Sequence, residues 1–209
     1  ASKVASNELF ARLGVPRPRP WPEGGLPCVV KPSTASGSEG VSVVRDEQAL
    51  AAARAALEAA GHVAVVEEFV AGPSLSLEVL CWDGRAVPLQ VTGLEFDEVY
   101  DCKRVVAPVL SGDAAATSER PAADVREGVQ DSQVTGRVLA AFDRVSVTLA
   151  EGLGLRGLMD VEVMVHDDEP KVLEIDARLP SQTPTAVFWS SGLNLVELLA
   201  RTVLDGRVP

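Results

Sequence analysis

Residues 157–178 read GLMDVEVMVHDDEPKVLEIDAR. Two runs of β-favouring residues, 157–165 and 171–176, flank the polar turn 166–170. The pattern predicts an antiparallel pair of strands. Side chains alternate along a strand, so Glu174, Asp176 and Arg178 share one face, and Asp160 and Glu162 share one face of the neighbour. Val161, Val163, Val172 and Ile175 account for the opposite, buried face. A tight turn brings Glu162 alongside Glu174 and Asp176. Like carboxylates across a strand pair repel. A cation held between them is the economical reason for the pattern. Hard oxygen ligands that leave room for phosphate oxygens suit Mg²⁺. The competing reading is an outward polar face.

Outward from that hairpin, helices are expected at 1–14, 47–60, 134–153 and 193–204, and strands at 28–31, 41–44, 63–70, 74–82 and 85–92. Ser2 and Asp46 are capping residues, and Gly14 and Gly61 are stop signals. Asp83-Gly84 marks a hairpin turn. Alternating prolines make residues 15–22 an extended connector. Residues 111–128 are small, polar and acidic, and read as a surface excursion. Hairpins mixed with separate helices, without internal repeats, give an α+β protein rather than a doubly wound parallel fold.

The chain has 209 residues, 46% of them hydrophobic and 23% charged. That is an ordinary globular composition with ample material for a core. A net charge of −11 argues against nucleic acid as a partner, since phosphate recognition needs a basic face. No apolar run approaches the ~20 residues of a bilayer span, so no membrane partner is expected. Cys28, Cys81 and Cys102 form no CxxC pair and are too few for a disulfide scaffold, which points to a cytoplasmic location. With 15 arginines and only 4 lysines, a lysine inside a motif carries more weight.

Two further motifs accompany the carboxylates. Val29-Val30-Lys31 runs into Pro32-Ser33-Thr34-Ala35-Ser36-Gly37-Ser38-Glu39-Gly40. A loop of small residues after a strand exposes successive backbone N–H groups to phosphate oxygens, and a lysine at the strand end adds a point charge. No GK[ST] follows, so this is not a Walker A loop, and no helix opens after the glycines as a Rossmann fingerprint requires. The bland reading is a hairpin loop with a surface lysine. In the second motif, Glu67-Glu68-Phe69-Val70 precedes the sharp turn Gly72-Pro73. An extended segment there offers backbone groups to an adenine edge and a carboxylate to an amine or ribose. The bland reading is two solvated glutamates.

In this order the motifs resemble the ATP-grasp superfamily of carboxylate–amine ligases. The resemblance covers nearly the whole chain. Ser2-Lys3 with Leu13-Gly14-Val15-Pro16 looks like the family's opening helix and connector. Lys31 with Ser36 and Gly37 looks like its nucleotide lysine and lid loop, and Glu67, Glu68, Phe69 and Val70 look like its adenine hinge. Tyr100-Asp101-Cys102-Lys103-Arg104 looks like the segment that returns a cation to the phosphates. Glu162, Glu174 and Asp176 fall on the metal-ligand positions, with Asp176 in place of the more usual Asn. Ser74 stands where many members carry an acidic ribose ligand. The stretch 173–184, LEIDARLPSQTP, with 100–103 and 72–78, resembles the family of 3-methylornithine–lysine ligases of pyrrolysine biosynthesis.

The resemblance implies an ATP-grasp fold divided into residues 1–16 (opening helix and connector), 17–70 (small lid subdomain) and 71–209 (large subdomain with the metal site). It implies ATP and Mg²⁺ as cofactors, two ions with Mn²⁺ as an alternative, and an amide formed through an acyl phosphate. Lys3, Lys31 and Lys103 would offset phosphate charge, Arg178 would stabilise the developing oxyanion, and Ser76, Glu78 and Ser181 would grip the amino-acid substrates. Members usually carry an N-terminal α/β domain that this sequence lacks, so a missing N-terminal domain and a homodimer are the expected partners. His62 and His166 fall in no motif. Three rivals stay open: a ligase with another substrate pair, such as a dipeptide ligase; a non-catalytic ATP-binding module; and a structural α+β domain.

Overall fold

The computed structural model describes residues 2–35, 37–98, 100–109 and 134–208. The excursion at 111–128 and the lid residue Ser36 lie outside the described residues. Among the described residues thirteen elements follow one another: α1 (Lys3–Leu13), β1 (Cys28–Pro32), β2 (Ser42–Val44), α2 (Glu47–Ala59), β3 (Ala64–Glu68), β4 (Ser74–Trp82), β5 (Arg85–Phe96), β6 (Cys102–Val106), α3 (Gly136–Leu153), β7 (Gly157–His166), β8 (Glu169–Asp176), α4 (Thr183–Ser191) and α5 (Leu195–Asp205). The strands form two antiparallel sheets, β2-β1-β3 and β6-β5-β4-β7-β8.

Local chemistry sets the element ends. Ser2 Oγ accepts from the Ala5 N–H, and Gly14 closes α1 at φ 66°. Asp46 Oδ1 accepts from the Ala49 N–H at 2.7 Å. Asp83 and Gly84 both adopt positive φ, 47° and 77°, as a two-residue hairpin turn demands. Two elements differ from expectation. β5 runs on past Thr92 to Phe96 and there pairs with β6, which the sequence pattern did not mark as a strand. α4 was also unmarked: Gln182 makes no side-chain cap, and its helical run is not amphipathic.

The small sheet packs one face against α2, through Cys28, Val30, Val44 and Leu50. Alternation then turns Val29 and Lys31 the other way. On the large sheet, Leu75, Leu77 and Val79 of β4 and Met159, Val161 and Val163 of β7 form the main core with Phe142 and Leu149 of α3 and Phe10 of α1. A Cβ at Gly152 would lie 2.6 Å from Leu13 Cδ1, so the bare glycine lets α1 sit close on α3. The far face is covered at one end by α4 and α5 through Val187 and Leu195, which meet Leu80 and Leu158. Its other end borders a cleft among the described residues. No helix among the described residues is long and apolar enough to cross a membrane.

Candidate nucleotide and metal site

A cleft of about 620 Å³ separates the two sheets. Val29 and Val43 of the small sheet form one apolar wall, and Met164 and Leu173 of the large sheet form the other. Phe69, Val70 and Gly72 line the connection between the sheets. Of the residues singled out in the sequence, Lys3, Lys31, Gly37, Glu67, Glu68, Phe69, Val70, Glu162 and Glu174 all border this space.

The lysines arrive from two elements. Lys31 forms a buried ion pair with Glu67 of the adjoining strand. Lys3, at the start of α1, is fixed by its backbone: its N–H donates to Ser33 O at 2.8 Å. Its Nζ then reaches Ala35 O at 2.7 Å and Glu174 Oε1 at 3.1 Å. Glu68 is clasped from both sheets' surroundings. Arg19 donates to it three times, through its backbone N–H at 3.1 Å and its guanidinium at 3.0 and 3.2 Å, and Lys171 of β8 lies at 3.3 Å. These contacts hold its carboxyl at about 2, chiefly through the Arg19 hydrogen bond and against the opposing effect of burial.

The carboxylates lie in register. Glu162 is the strand partner of Glu174, and Asp160 of Asp176. Val172 and Ile175 both reach the core although three positions apart, because the β7–β8 register shifts next to Glu162 and Val163. Without that irregularity Glu174 and Val172 would share a face. The side chain of Glu162 has no hydrogen-bond or ion-pair partner among the described residues. Burial, then repulsion by Asp160, Glu174 and Asp176, pushes it up to about 8, with Arg178 opposing. Asp160, which accepts from Ser76 Oγ at 2.5 Å, rises to about 6, chiefly by burial. Asp176 is ion-paired to Arg178. No three acidic, histidine or cysteine side chains converge on one point among the described residues. The donor chemistry nevertheless suits a hard divalent ion: the unpaired, half-buried carboxyl of Glu162 lies against Glu174, and both line the cleft with Lys3 and Lys31, while Asp176 stands just off the cleft wall.

The remaining sequence candidates lie off the cleft wall. Glu78 is fully buried, and among the described residues neither of its oxygens meets a hydrogen-bond partner in ordinary geometry. Burial lifts it to about 7, with the nearby Thr183 hydroxyl opposing. Ser76 sits beside it on the same strand face, and Thr183 of α4 also keeps an unpartnered hydroxyl. Arg178 and Ser181 are exposed at the end of β8. Lys103 is exposed on β6, held by Asp101 at 2.5 Å and Asp97 at 3.2 Å. Sequence reasoning passed over Arg19 and Lys171, whose tie to Glu68 spans 49 and 103 positions and has no local signature. Met164 was within reach, since it lies two residues beyond Glu162 on the same face.

Two antiparallel sheets gripping a nucleotide-sized cleft between them are the ATP-grasp architecture. The chain belongs to that family: the profile of the ATP-grasp domain matches residues 1–182. Among curated relatives, the 3-methyl-D-ornithine–L-lysine ligase of Methanosarcina acetivorans is 35% identical over 98% of this chain and 46% of its own length. A D-alanine–D-alanine ligase of a Synechococcus strain is 27% identical over 97% of this chain and 63% of its own. The chain thus spans about half the length of the ornithine–lysine ligases it matches. Solved structures share the fold. The biotin carboxylase domain of Hydrogenobacter thermophilus 2-oxoglutarate carboxylase, solved with MgADP, superposes with a TM-score of 0.77 at 18% identity over 99% of this chain and 46% of that one. The L-amino acid ligase of Bacillus licheniformis gives 0.71 at 18% identity over 100% and 50%.

Proposed function

We propose that this chain is the nucleotide-binding and catalytic part of an ATP-dependent carboxylate–amine ligase. The substrate pair we assign is 3-methyl-D-ornithine and the ε-amine of L-lysine. The observation that carries the reading is the β7–β8 register. It sets Glu162 against Glu174, which line the cleft together with Lys3 and Lys31, and Asp160 against Asp176 one pair further along the same face.

Glu162, Glu174 and Asp176 would hold Mg²⁺, and two ions fit the family pattern. When bound, the metal supplies charge neutralisation for the triphosphate. Lys3 and Lys31 offset the phosphate charge from the opposite wall, with Lys103 as a third cation. Val29, Val43, Met164 and Leu173 give the adenine ring an apolar slot, and Glu67–Val70 offer backbone groups to its edge. The substrate carboxylate attacks the γ-phosphate, ADP leaves and an acyl phosphate forms. The amine attacks the acyl carbon, inorganic phosphate leaves and a proton is lost from nitrogen. Catalysis here is positioning and charge stabilisation, without a protein nucleophile. Arg178 would steady the oxyanion of the second step. Ser76, Glu78 and Ser181 would take the amino-acid amine and carboxylate groups.

Residues 1–16, 17–70 and 71–209 are the proposed opening segment, lid unit and metal-bearing unit. An N-terminal α/β domain, a homodimeric assembly and a cytoplasmic setting complete the proposal. The relatives that join D-alanine favour a second substrate pair within the same chemistry.

The test is ADP release from ATP with L-lysine and 3-methyl-D-ornithine, with the product identified by mass spectrometry. Release that needs both amino acids, with one amide product, supports the assignment. Release driven by a D-alanine pair instead would move the substrate assignment. No release with any pair, despite tight ATP binding, would favour a non-catalytic module.

A further inference from the structure

The two proposed metal ligands of β8 are each engaged by a cation of the chain itself. Glu174 Oε1 lies 3.1 Å from Lys3 Nζ, and Asp176 pairs with Arg178. The Lys3 contact is not a loose surface pair, because its side chain is only 12% exposed. It is also built in. The Lys3 N–H is anchored to Ser33 O, and Ser2 Oγ lies 3.0 Å from Ser33 Oγ. The first turn of α1 is thereby fastened to the segment after β1. From there Lys3 reaches over the cleft to the far sheet.

A carboxylate oxygen that faces an ammonium is turned toward it, and a divalent ion must compete for the same lone pairs. We infer that Lys3 and Arg178 are placeholder cations of the metal centre, holding Glu174 and Asp176 until a polyphosphate draws Lys3 away. This rests on the reading of Glu162, Glu174 and Asp176 as the metal set. The charge arithmetic favours it. Glu174 and Asp176 each already face a cation, so their two charges are offset before a free divalent ion arrives. A triphosphate brings several negative charges, offers Lys3 a stronger partner and supplies oxygen ligands of its own. Metal and nucleotide binding are then coupled, and the coupling is reciprocal. Lys3 is a positioning residue in this scheme as well as a phosphate contact, and the order of binding is written into its reach.

The experiment is Mn²⁺ binding to the full chain, followed by electron paramagnetic resonance, with and without a non-hydrolysable ATP analogue. Wild-type protein is expected to bind Mn²⁺ weakly alone and far more tightly with the analogue. Lys3→Met should tighten Mn²⁺ binding in the absence of nucleotide by roughly tenfold while weakening the analogue. Arg178→Met, at an exposed pair that the fold does not need, should tighten it by about threefold. If both variants leave nucleotide-free Mn²⁺ affinity unchanged, the placeholder role is overturned. Glu174→Gln separates the underlying reading. Loss of Mn²⁺–analogue binding in that variant keeps the metal set, whatever Lys3→Met shows. Unchanged Mn²⁺–analogue binding there removes the metal set and the inference with it.

Discussion

The two faces of the five-stranded sheet are made from the same strands and could hardly differ more. One face carries Leu75, Leu77, Val79, Met159, Val161 and Val163, sealed under α1 and α3. The other carries Ser74, Ser76 and Glu78 on β4 and Asp160 and Glu162 on β7, with several buried polar atoms left without partners. Strand alternation writes both patterns into one sequence, residue by residue. The difference shows how the fold tolerates a poorly satisfied surface. The apolar face supplies the cohesion, and the polar face is free to be arranged for a ligand.

The comparison breaks most visibly on the core side. Phe142 is fully buried there, and Phe142→Ala should cost about 3–5 kcal/mol in chemical denaturation. A loss under 1 kcal/mol would mean that this face is not the main support. The site face should respond in the opposite sense. The folded-state value of Glu162 is raised from 4.5 to about 8, so the folded chain keeps a proton that the unfolded chain releases. Glu78 and Asp160 are raised in the same direction. Their contribution is fully present below about pH 4.5 and is lost as pH climbs towards 8. In chelator, the melting temperature should therefore fall between about pH 5 and pH 8. Glu162→Gln should flatten that slope and add on the order of 1–3 kcal/mol at pH 8, while abolishing the response to Mg²⁺ with nucleotide. A steeper slope in the variant would contradict this account of the face. The smallest effect is expected outside both faces. Trp189 of α4 is 80% exposed, and Trp189→Ser should stay within about 0.5 kcal/mol. A large loss on denaturation would show that α4 has a further packing role.

Much of this was legible because it is periodic or local. The carboxylates of β7 and β8 follow strand alternation, and the caps at Ser2 and Asp46 need only the next three residues. Lys31 was legible as the end of an apolar run. Its burial against Glu67 was not, because that pairing depends on β1 and β3 meeting across 36 positions. β6 escaped because Cys102-Lys103-Arg104 has no apolar alternation and, among the described residues, is paired only by the far end of a long, bulged β5. α4 escaped because its start lacks a capping side chain and its aromatic residues, Phe188 and Trp189, point outward. The register shift beside Glu162 and Val163 was hidden as well, yet it alone lets Val172 face the core and Glu174 the cleft.

Gly152 shows how far such a detail can act. It sits near the end of α3, and a Cβ added there would first meet the side chain of Leu13, at the closing turn of α1. Lys3 stands at the other end of that 11-residue helix, roughly 15 Å away by the rise of an α-helix. An added methyl group there would press on the tip of the Leu13 side chain, so the bare glycine lets the helix that carries Lys3 rest on α3 without turning Leu13 aside. Neither Gly152 nor Leu13 lines the cleft, yet the two together seat the helix whose first residue does.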